Sequence, residues 1–134
     1  IKRFYTVWST KFKPLKKRSD ILVKVEALEE KLKEKYDTDK ISIYYSHHNN
    51  FIEISNLYAN SIEDETSILK EIIRLADTYR KTIGMNVEKK HTSIHVTKTR
   101  KTLRELGFFK NYGSSKSDYR FREEWVRYTK RKEA

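Results

Sequence analysis

Side chains that could handle protons alternate along residues 91–97, which read HTSIHVT. Successive side chains of a strand point to opposite faces, so a strand here would place His91, Ser93, His95 and Thr97 together on one face. Imidazole titrates near neutrality, and the two adjacent His-x-Ser/Thr triplets therefore have the chemistry to move protons around a phosphate. We predict a strand over residues 92–97.

We assign no catalytic role to residues 91–97. Two-histidine phosphoesterases draw their triplets from separate, pseudo-symmetric halves of a fold, so adjacent triplets on one strand do not form that site. We interpret residues 91–97 as a polar, solvent-facing strand face.

A second pair of histidines, His47 and His48, precedes two asparagines. Without cysteine, and without a third ligand at a recognisable spacing, they predict a polar turn.

Positive charge is concentrated near the two ends of the chain, and the net charge is +11. Residues 1–19 contain seven Lys or Arg and no acidic residue, while residues 97–134 contain twelve Lys or Arg against five Asp or Glu. If the ends adjoin in the fold, they form one basic surface. Such a surface neutralises phosphates, and aromatic side chains beside it stack on unpaired bases. In the alternative interpretation, the lysines serve solubility and the aromatic residues belong to the core.

The nucleic-acid interpretation names specific residues at both ends. We predict phosphate contacts from Lys11, Lys13, Lys16, Lys17, Arg18, Arg120, Arg122, Arg127, Lys130 and Arg131. Tyr112 and Trp125 are the candidates for stacking on bases.

Length and composition predict a single domain over residues 1–134, with a basic, disordered tail over residues 129–134. The 134 residues are enough to bury a core without disulfide or metal. The chain has no cysteine, which excludes disulfides and thiolate catalysis and fits a reducing compartment. It also has no apolar run near the roughly 18 residues of a membrane span. We therefore expect a cytoplasmic protein with no membrane partner.

The first half of the chain predicts a strand, a helix and a hairpin. Residues 1–12 alternate as a strand does, and Pro14 ends the strand. Ser19 is a suitable N-cap for an amphipathic helix whose apolar stripe runs to Tyr36. Residues 40–46 and the segment from Phe51 onward predict two strands joined by a polar turn.

The second half predicts a crossover unit followed by a short helix and a final strand. The apolar positions of residues 51–59 change phase, as a β-bulge near Ser55-Asn56 would cause. An amphipathic helix follows Ser61, with Gly84 as its stop and residues 92–97 as the next strand. Residues 97–107 predict a short helix that ends at Gly107, and residues 119–128 predict a last strand.

The order strand, helix, strand, short helix over residues 50–109 resembles the second half of the GNAT-type acyl-CoA N-acyltransferase fold. Residues 100–108, RKTLRELGF, resemble that family's A-R-x-x-Y-x-x-x-G-F segment. The resemblance implies an α/β fold with a single mixed, mostly antiparallel sheet flanked by helices. It also implies one splayed parallel pair, whose gap holds the pantetheine of the cofactor. The candidate cleft comprises Ser55, Asn56, Leu57, Asn60 and Ser61.

The chain departs from the family where the cofactor would bind. Members that use acetyl-CoA carry an Arg/Gln-x-x-Gly-x-Gly/Ala loop, whose backbone N–H groups hold the pyrophosphate at a helix N-terminus. Residues 60–67, NSIEDETS, contain three carboxylates and no glycine. Leu103 stands where the family often has a tyrosine as general acid. We therefore expect no cofactor, with acetyl-CoA as the alternative, and we assign no catalytic residue.

Three functions follow as hypotheses. The first is a basic protein on a degenerate GNAT-like scaffold, which binds RNA or DNA or an acidic partner within a nucleoprotein machine. A small, basic protein of this kind would suit a phage or mobile element. The second is an active N-acetyltransferase that modifies a nucleic-acid-linked or ribosomal amine. The third is a structural or assembly protein whose charge serves packing in a larger particle.

Overall fold

The computed structural model describes residues 20–47, 50–87 and 96–129, and within them the chain forms an α/β fold. The elements are helix α1 (Asp20–Lys35), strands β1 (Ile41–Ser46) and β2 (Phe51–Leu57), helix α2 (Ile62–Tyr79), strand β3 (Thr82–Met85), helix α3 (Val96–Glu105), and strands β4 (Phe109–Lys110) and β5 (Trp125–Arg127). A single 3-10 turn, Gly113–Ser115, lies between β4 and β5.

The five strands form one mixed sheet in the order β1-β2-β3-β5-β4. Strands β2 and β3 are parallel, and every other neighbouring pair is antiparallel. Helix α2 makes the crossover between the parallel strands, as parallel pairing requires. The predicted fold class, a mostly antiparallel sheet with one parallel pair and flanking helices, is confirmed.

The predicted β-bulge lies in β2. Ser42 pairs with Asn56 while the next residue, Ile43, pairs with Ile54, so Ser55 is the extra residue. Pairing of β2 with β3 runs from Phe51 to Ile54 and stops at the bulge. The bulge therefore follows directly after the last residue of β2 that pairs with β3, whose own last residue is Met85.

Helix α2 begins as predicted but ends earlier. The Ser61 hydroxyl accepts a hydrogen bond from the Asp64 N–H at 3.1 Å, which caps the helix. The helix ends at Tyr79, and the next residue, the C-cap Arg80, has a left-handed conformation (φ 58°). Gly84 was wrongly predicted as the stop: it lies inside β3, where a Cβ atom would come within 3.0 Å of Glu123 Cγ. Its missing side chain leaves room for that close packing.

The second strand of the crossover unit was predicted in the wrong place. Val96 and Thr97 belong to helix α3, and residues 92–95 lie outside the described residues. The strand is β3, four residues long with only Ile83 and Met85 as large apolar side chains. Such a short segment carries too little periodicity to be distinguished from a loop.

The final strand is also shorter than predicted. Only Trp125–Arg127 is strand, because residues 119–124 belong to a hydrogen-bonded loop. The predicted end of α3 is confirmed: Gly107 has φ 99°, and the Phe108 N–H donates to the Leu103 carbonyl at 2.9 Å. The predicted strand over residues 1–12 and the basic tail beyond Thr129 lie outside the described residues.

The apolar residues form a large and a small cluster on opposite faces of the sheet. The large cluster joins one side of each helix to the sheet, with Leu32 of α1, Ile72 of α2 and Leu103 of α3 fully buried. The small cluster comprises Phe51, Phe121 and Val126, with Phe109 packed against it. Phe121 belongs to the loop between β4 and β5, so this loop is anchored to the sheet.

Candidate nucleic-acid interface

The loop between β4 and β5, residues 111–124, is organised around one buried amide. The side chain of Asn111 is fully buried. Its Nδ2 donates to the carbonyl oxygens of Asp118, Phe121 and Glu123 at 3.0, 3.4 and 3.3 Å. Its Oδ1 accepts from the N–H groups of Ser117 and Asp118 at 3.1 and 3.0 Å. One side chain thus satisfies backbone groups that have no strand or helix to pair with.

Asp118 supplies the second anchor of the loop. Its carboxylate accepts from the Arg120 Nε and Nη2 at 2.9 and 2.6 Å, from the Arg120 N–H at 3.1 Å and from the Tyr128 hydroxyl at 2.6 Å. The hydrogen bonds from the Arg120 guanidinium hold the pKa of Asp118 well below its usual range, against the opposing effect of burial. Donation to Asp118 raises the pKa of Tyr128.

Two further contacts fix the loop to the sheet. The Phe121 ring packs edge-on against Phe51, with ring centroids 4.9 Å apart. Lys116 Nζ donates to the Phe121 carbonyl at 2.9 Å. The loop is therefore held along its length, although it contains only one short helical turn.

This anchored loop displays basic and aromatic side chains. Tyr119 is 78% exposed and Tyr128 is 46% exposed. Lys110, Arg120 and Arg122 are exposed, and Lys116 is half-buried with its Nζ 5.5 Å from the centroid of the Tyr119 ring. We call Lys110, Lys116, Tyr119, Arg120, Arg122 and Tyr128 the loop surface.

Positive and negative charges are unevenly divided along the described part of the chain. The described residues up to position 87 contain nine Lys or Arg against thirteen Asp or Glu, whereas residues 96–129 contain nine against four. The excess positive charge of the described residues therefore belongs to α3, β4, β5 and the loop between the two strands. A concentrated positive field raises the local concentration of polyanions.

The structure divides the predicted nucleic-acid contacts into three groups. Arg120 and Arg122 are exposed on the loop surface, as a phosphate contact requires. Tyr112 is half-buried, its ring 6.4 Å from that of Trp125 and 5.1 Å from Lys110 Nζ. The third group lies outside the described residues: Lys11, Lys13, Lys16, Lys17, Arg18, Lys130 and Arg131.

Two of the predicted contacts are wrong because their side chains are buried. Trp125 is completely buried in the core, so its ring has no face available to a base. Only 4% of the Arg127 side chain is exposed, and Arg127 pairs with Asp77 instead of facing solvent. Both residues lie in β5, which has neighbours on both edges and packs on both faces.

Sequence reasoning missed Tyr119, Lys110 and Lys116. Tyr119 was placed at the start of a strand because aromatic and basic residues alternate after it. The signal that could have corrected this was the run NYGSSKSD at residues 111–118, whose Asn, Gly, Ser and Asp content is typical of a loop.

The predicted cofactor cleft is built largely from groups with local structural partners. Ser61 caps α2, Asn60 accepts from the Tyr58 hydroxyl at 2.8 Å, and the Ser55 hydroxyl donates to the Ser42 carbonyl at 3.3 Å. Leu57 is buried and Asn56 is half-buried. Three of the four polar side chains of the cleft, those of Ser55, Asn60 and Ser61, thus already serve its own backbone and a neighbouring side chain.

A buried carboxylate lies in the first turn of α2, next to this cleft. Glu65 is 1% exposed and accepts a hydrogen bond from the Thr99 hydroxyl at 3.0 Å, which links α2 to α3. Its carboxyl group fills the first turn of α2, close to the helix N-terminus at which a pyrophosphate would bind.

A cavity of about 790 Å³ lies where α1 ends, away from the loop surface. Its walls include four carboxylates, those of Glu30, Glu34, Asp37 and Asp39, against two lysines, Lys33 and Lys40. This charge is unfavourable for a phosphate-bearing ligand. Within residues 20–47, 50–87 and 96–129, no group of three or more His, Asp or Glu side chains is arranged to hold a metal ion.

No family model, curated protein or solved structure matches the chain. None of the helices described by the structure is long and apolar enough to cross a membrane.

Proposed function

We propose that this protein binds nucleic acid through the basic side chains of its C-terminal third, on a GNAT-like scaffold that has lost acetyl transfer. The observation that carries the proposal is the loop surface, which combines exposed cations with an exposed tyrosine on an anchored loop. Lys110 and Arg122 are its exposed cations outside the Asp118 network. They neutralise phosphates, and the released counterions drive association.

Charge reversal at two exposed positions tests the proposal. We expect Lys110→Glu combined with Arg122→Glu to weaken binding of a fluorescent oligonucleotide, as measured by anisotropy over a series of salt concentrations. For a single strand, the slope of log affinity against log salt should fall by about 0.7 for each phosphate that the variant no longer neutralises.

The chain offers a matched control for this experiment. Lys24 in α1 and Lys70 in α2 are also exposed, and the combination Lys24→Glu with Lys70→Glu changes the net charge by the same amount. These residues belong to the part of the chain with excess acidic residues, so their reversal should have the smaller effect. Equal loss of affinity in both double variants would assign binding to net charge and remove the loop surface from the proposal.

An acyl-CoA N-acyltransferase is the second candidate, favoured by the bulge at Ser55. The bulge follows the last residue of β2 that pairs with β3, which is where the GNAT resemblance would place a pantetheine gap. The first turn of α2 argues against it, because Glu63, Asp64 and Glu65 repel a pyrophosphate. We expect no heat when acetyl-CoA is titrated into the protein in a calorimeter. Micromolar binding would instead make the enzyme the leading candidate.

A further inference from the structure

Tyr119 is the most exposed large apolar side chain among the described residues, at 78%. The other exposed members of this class, Val23, Tyr44 and Tyr128, lie between 45% and 49%. Leaving most of an aromatic ring in water forgoes the free energy that its burial would release. The ring is therefore available for a flat apolar partner.

The backbone on both sides of Tyr119 is fixed. The Asp118 N–H donates to Asn111 Oδ1 at 3.0 Å, and the Asp118 carbonyl accepts from Asn111 Nδ2 at 3.0 Å. On the other side, the Arg120 N–H donates to Asp118 Oδ1 at 3.1 Å. Only the two side-chain torsions of Tyr119 remain to be ordered when a partner binds, so the entropic cost of using this ring is low.

One cation lies over the Tyr119 ring, and another belongs to the next residue. Lys116 Nζ is 5.5 Å from the Tyr119 ring centroid. The Arg120 side chain remains 72% exposed although Asp118 fixes the orientation of its guanidinium. A base that stacks on the exposed part of the ring therefore has the Lys116 ammonium within reach of the phosphates of its own strand, with Arg120 on the next residue.

We propose that Tyr119 is a stacking platform for an unpaired base, and that the loop surface consequently prefers single-stranded nucleic acid to duplex. This inference rests on the nucleic-acid binding proposed above. In a duplex the faces of the bases are covered by their neighbours, so an exposed ring meets only the groove edges and the backbone. In a single strand each base has a free face, in RNA and DNA alike.

The test uses the full chain and labelled oligonucleotides of about 12 nucleotides, within the range of site sizes typical of single-strand binding surfaces. Single-stranded RNA, single-stranded DNA and the corresponding duplexes are compared by anisotropy. We expect Tyr119→Ala to lower single-strand affinity roughly tenfold or more and to leave duplex affinity unchanged. Tyr119→Phe, which keeps the ring, should bind like the parent protein. The RNA and DNA arms show which strand is preferred.

Val23→Ala is the control, because it removes another exposed apolar side chain, in helix α1, and should leave both affinities unchanged. Near-ultraviolet circular dichroism verifies that the variants keep their packing. If Tyr119→Ala binds single strands as the parent does, or loses single-strand and duplex affinity equally, the stacking inference is overturned while nucleic-acid binding stands. If the parent protein binds no oligonucleotide, the proposed function and the inference both fail.

Discussion

Arg127 and Asp77, fifty positions apart in the sequence, form a bidentate ion pair. Arg127 Nη1 donates to Asp77 Oδ1 at 2.8 Å, and Nη2 donates to Oδ2 at 3.3 Å. Arg127 Nε also donates to the Leu106 carbonyl at 2.8 Å, near the end of α3. One buried guanidinium thereby joins β5 to α2 and α3, and Arg127 serves the fold rather than a ligand.

We expect Arg127→Met to lower the free energy of unfolding by about 2 to 4 kcal/mol, because it leaves the Asp77 carboxylate and the Leu106 carbonyl without this donor. Urea denaturation measures the change. Arg122→Met, five residues away and exposed, should change stability by no more than about 0.5 kcal/mol. Similar losses in the two variants would contradict a structural role specific to Arg127.

Asp118 should make the stability of the protein depend on acid. Hydrogen bonds from Arg120 lower its pKa in the folded state, so the folded protein binds the proton more weakly than the unfolded chain. The stabilisation by the carboxylate is therefore complete above the unfolded pKa of about 3.9 and is lost as the pH falls toward the folded pKa.

Asp118→Asn should accordingly cost about 2 kcal/mol at neutral pH, since it removes a charged acceptor from a buried position. Denaturant titrations of both proteins should show a constant difference between about pH 5 and 8, which then shrinks as the pH falls below about 4. A difference that stays the same at the acidic end would show that the Asp118 charge does not stabilise the loop.

Asn111→Ala should loosen the loop between β4 and β5, because five backbone groups each lose a hydrogen bond. Each buried group left unsatisfied costs about 1 to 3 kcal/mol, although a loop that opens to water recovers part of this. Hydrogen exchange at the Ser117 and Asp118 N–H groups should accelerate. Asn60→Ala, which removes an exposed amide, should leave those rates unchanged. Unaltered exchange in Asn111→Ala would mean that other contacts order the loop.

Gly107→Ala should destabilise the protein more than Gly113→Ala. Gly107 has φ 99°, beyond the left-handed helical region, and a Cβ atom there would lie 3.3 Å from Arg127 Nε. Gly113 has φ 58°, and a Cβ atom there would meet nothing within 4 Å. We expect about 1 kcal/mol for Gly113→Ala and more for Gly107→Ala, from thermal or denaturant unfolding. The reverse order would indicate that the Gly107 backbone relaxes without strain.

Features that depend on neighbouring residues were predictable from the sequence. The apolar stripes of α1 and α2, the Ser61 cap and the glycine after α3 are local patterns, and each lies where it was expected. The phase change at Ser55 revealed the bulge because a strand has a strict period of two. These elements, with their order, also determined the mixed α/β sheet.

Contacts between distant segments decided where β3 lies and which C-terminal aromatic and basic side chains are buried. Four residues carry little periodicity, so β3 is defined by its pairing with β2 and β5. In the sequence, Trp125 and Arg127 belong to a run of alternating aromatic and basic residues, a pattern that is also typical of a strand at the protein surface. Residues from other elements contact them in the fold: Tyr112 and Arg104 lie against Trp125, and Asp77 pairs with Arg127.

The sequence by itself therefore determined which segments are helices and hairpin strands, where the bulge lies, and that positive charge is concentrated at the ends of the chain. The tertiary structure decided which charges and rings reach solvent. Local backbone preference acts between residues a few positions apart, whereas burial is set by whichever segments the fold brings together. For that reason Tyr119 became the exposed ring of the loop surface, and Trp125, six residues later, became part of the core.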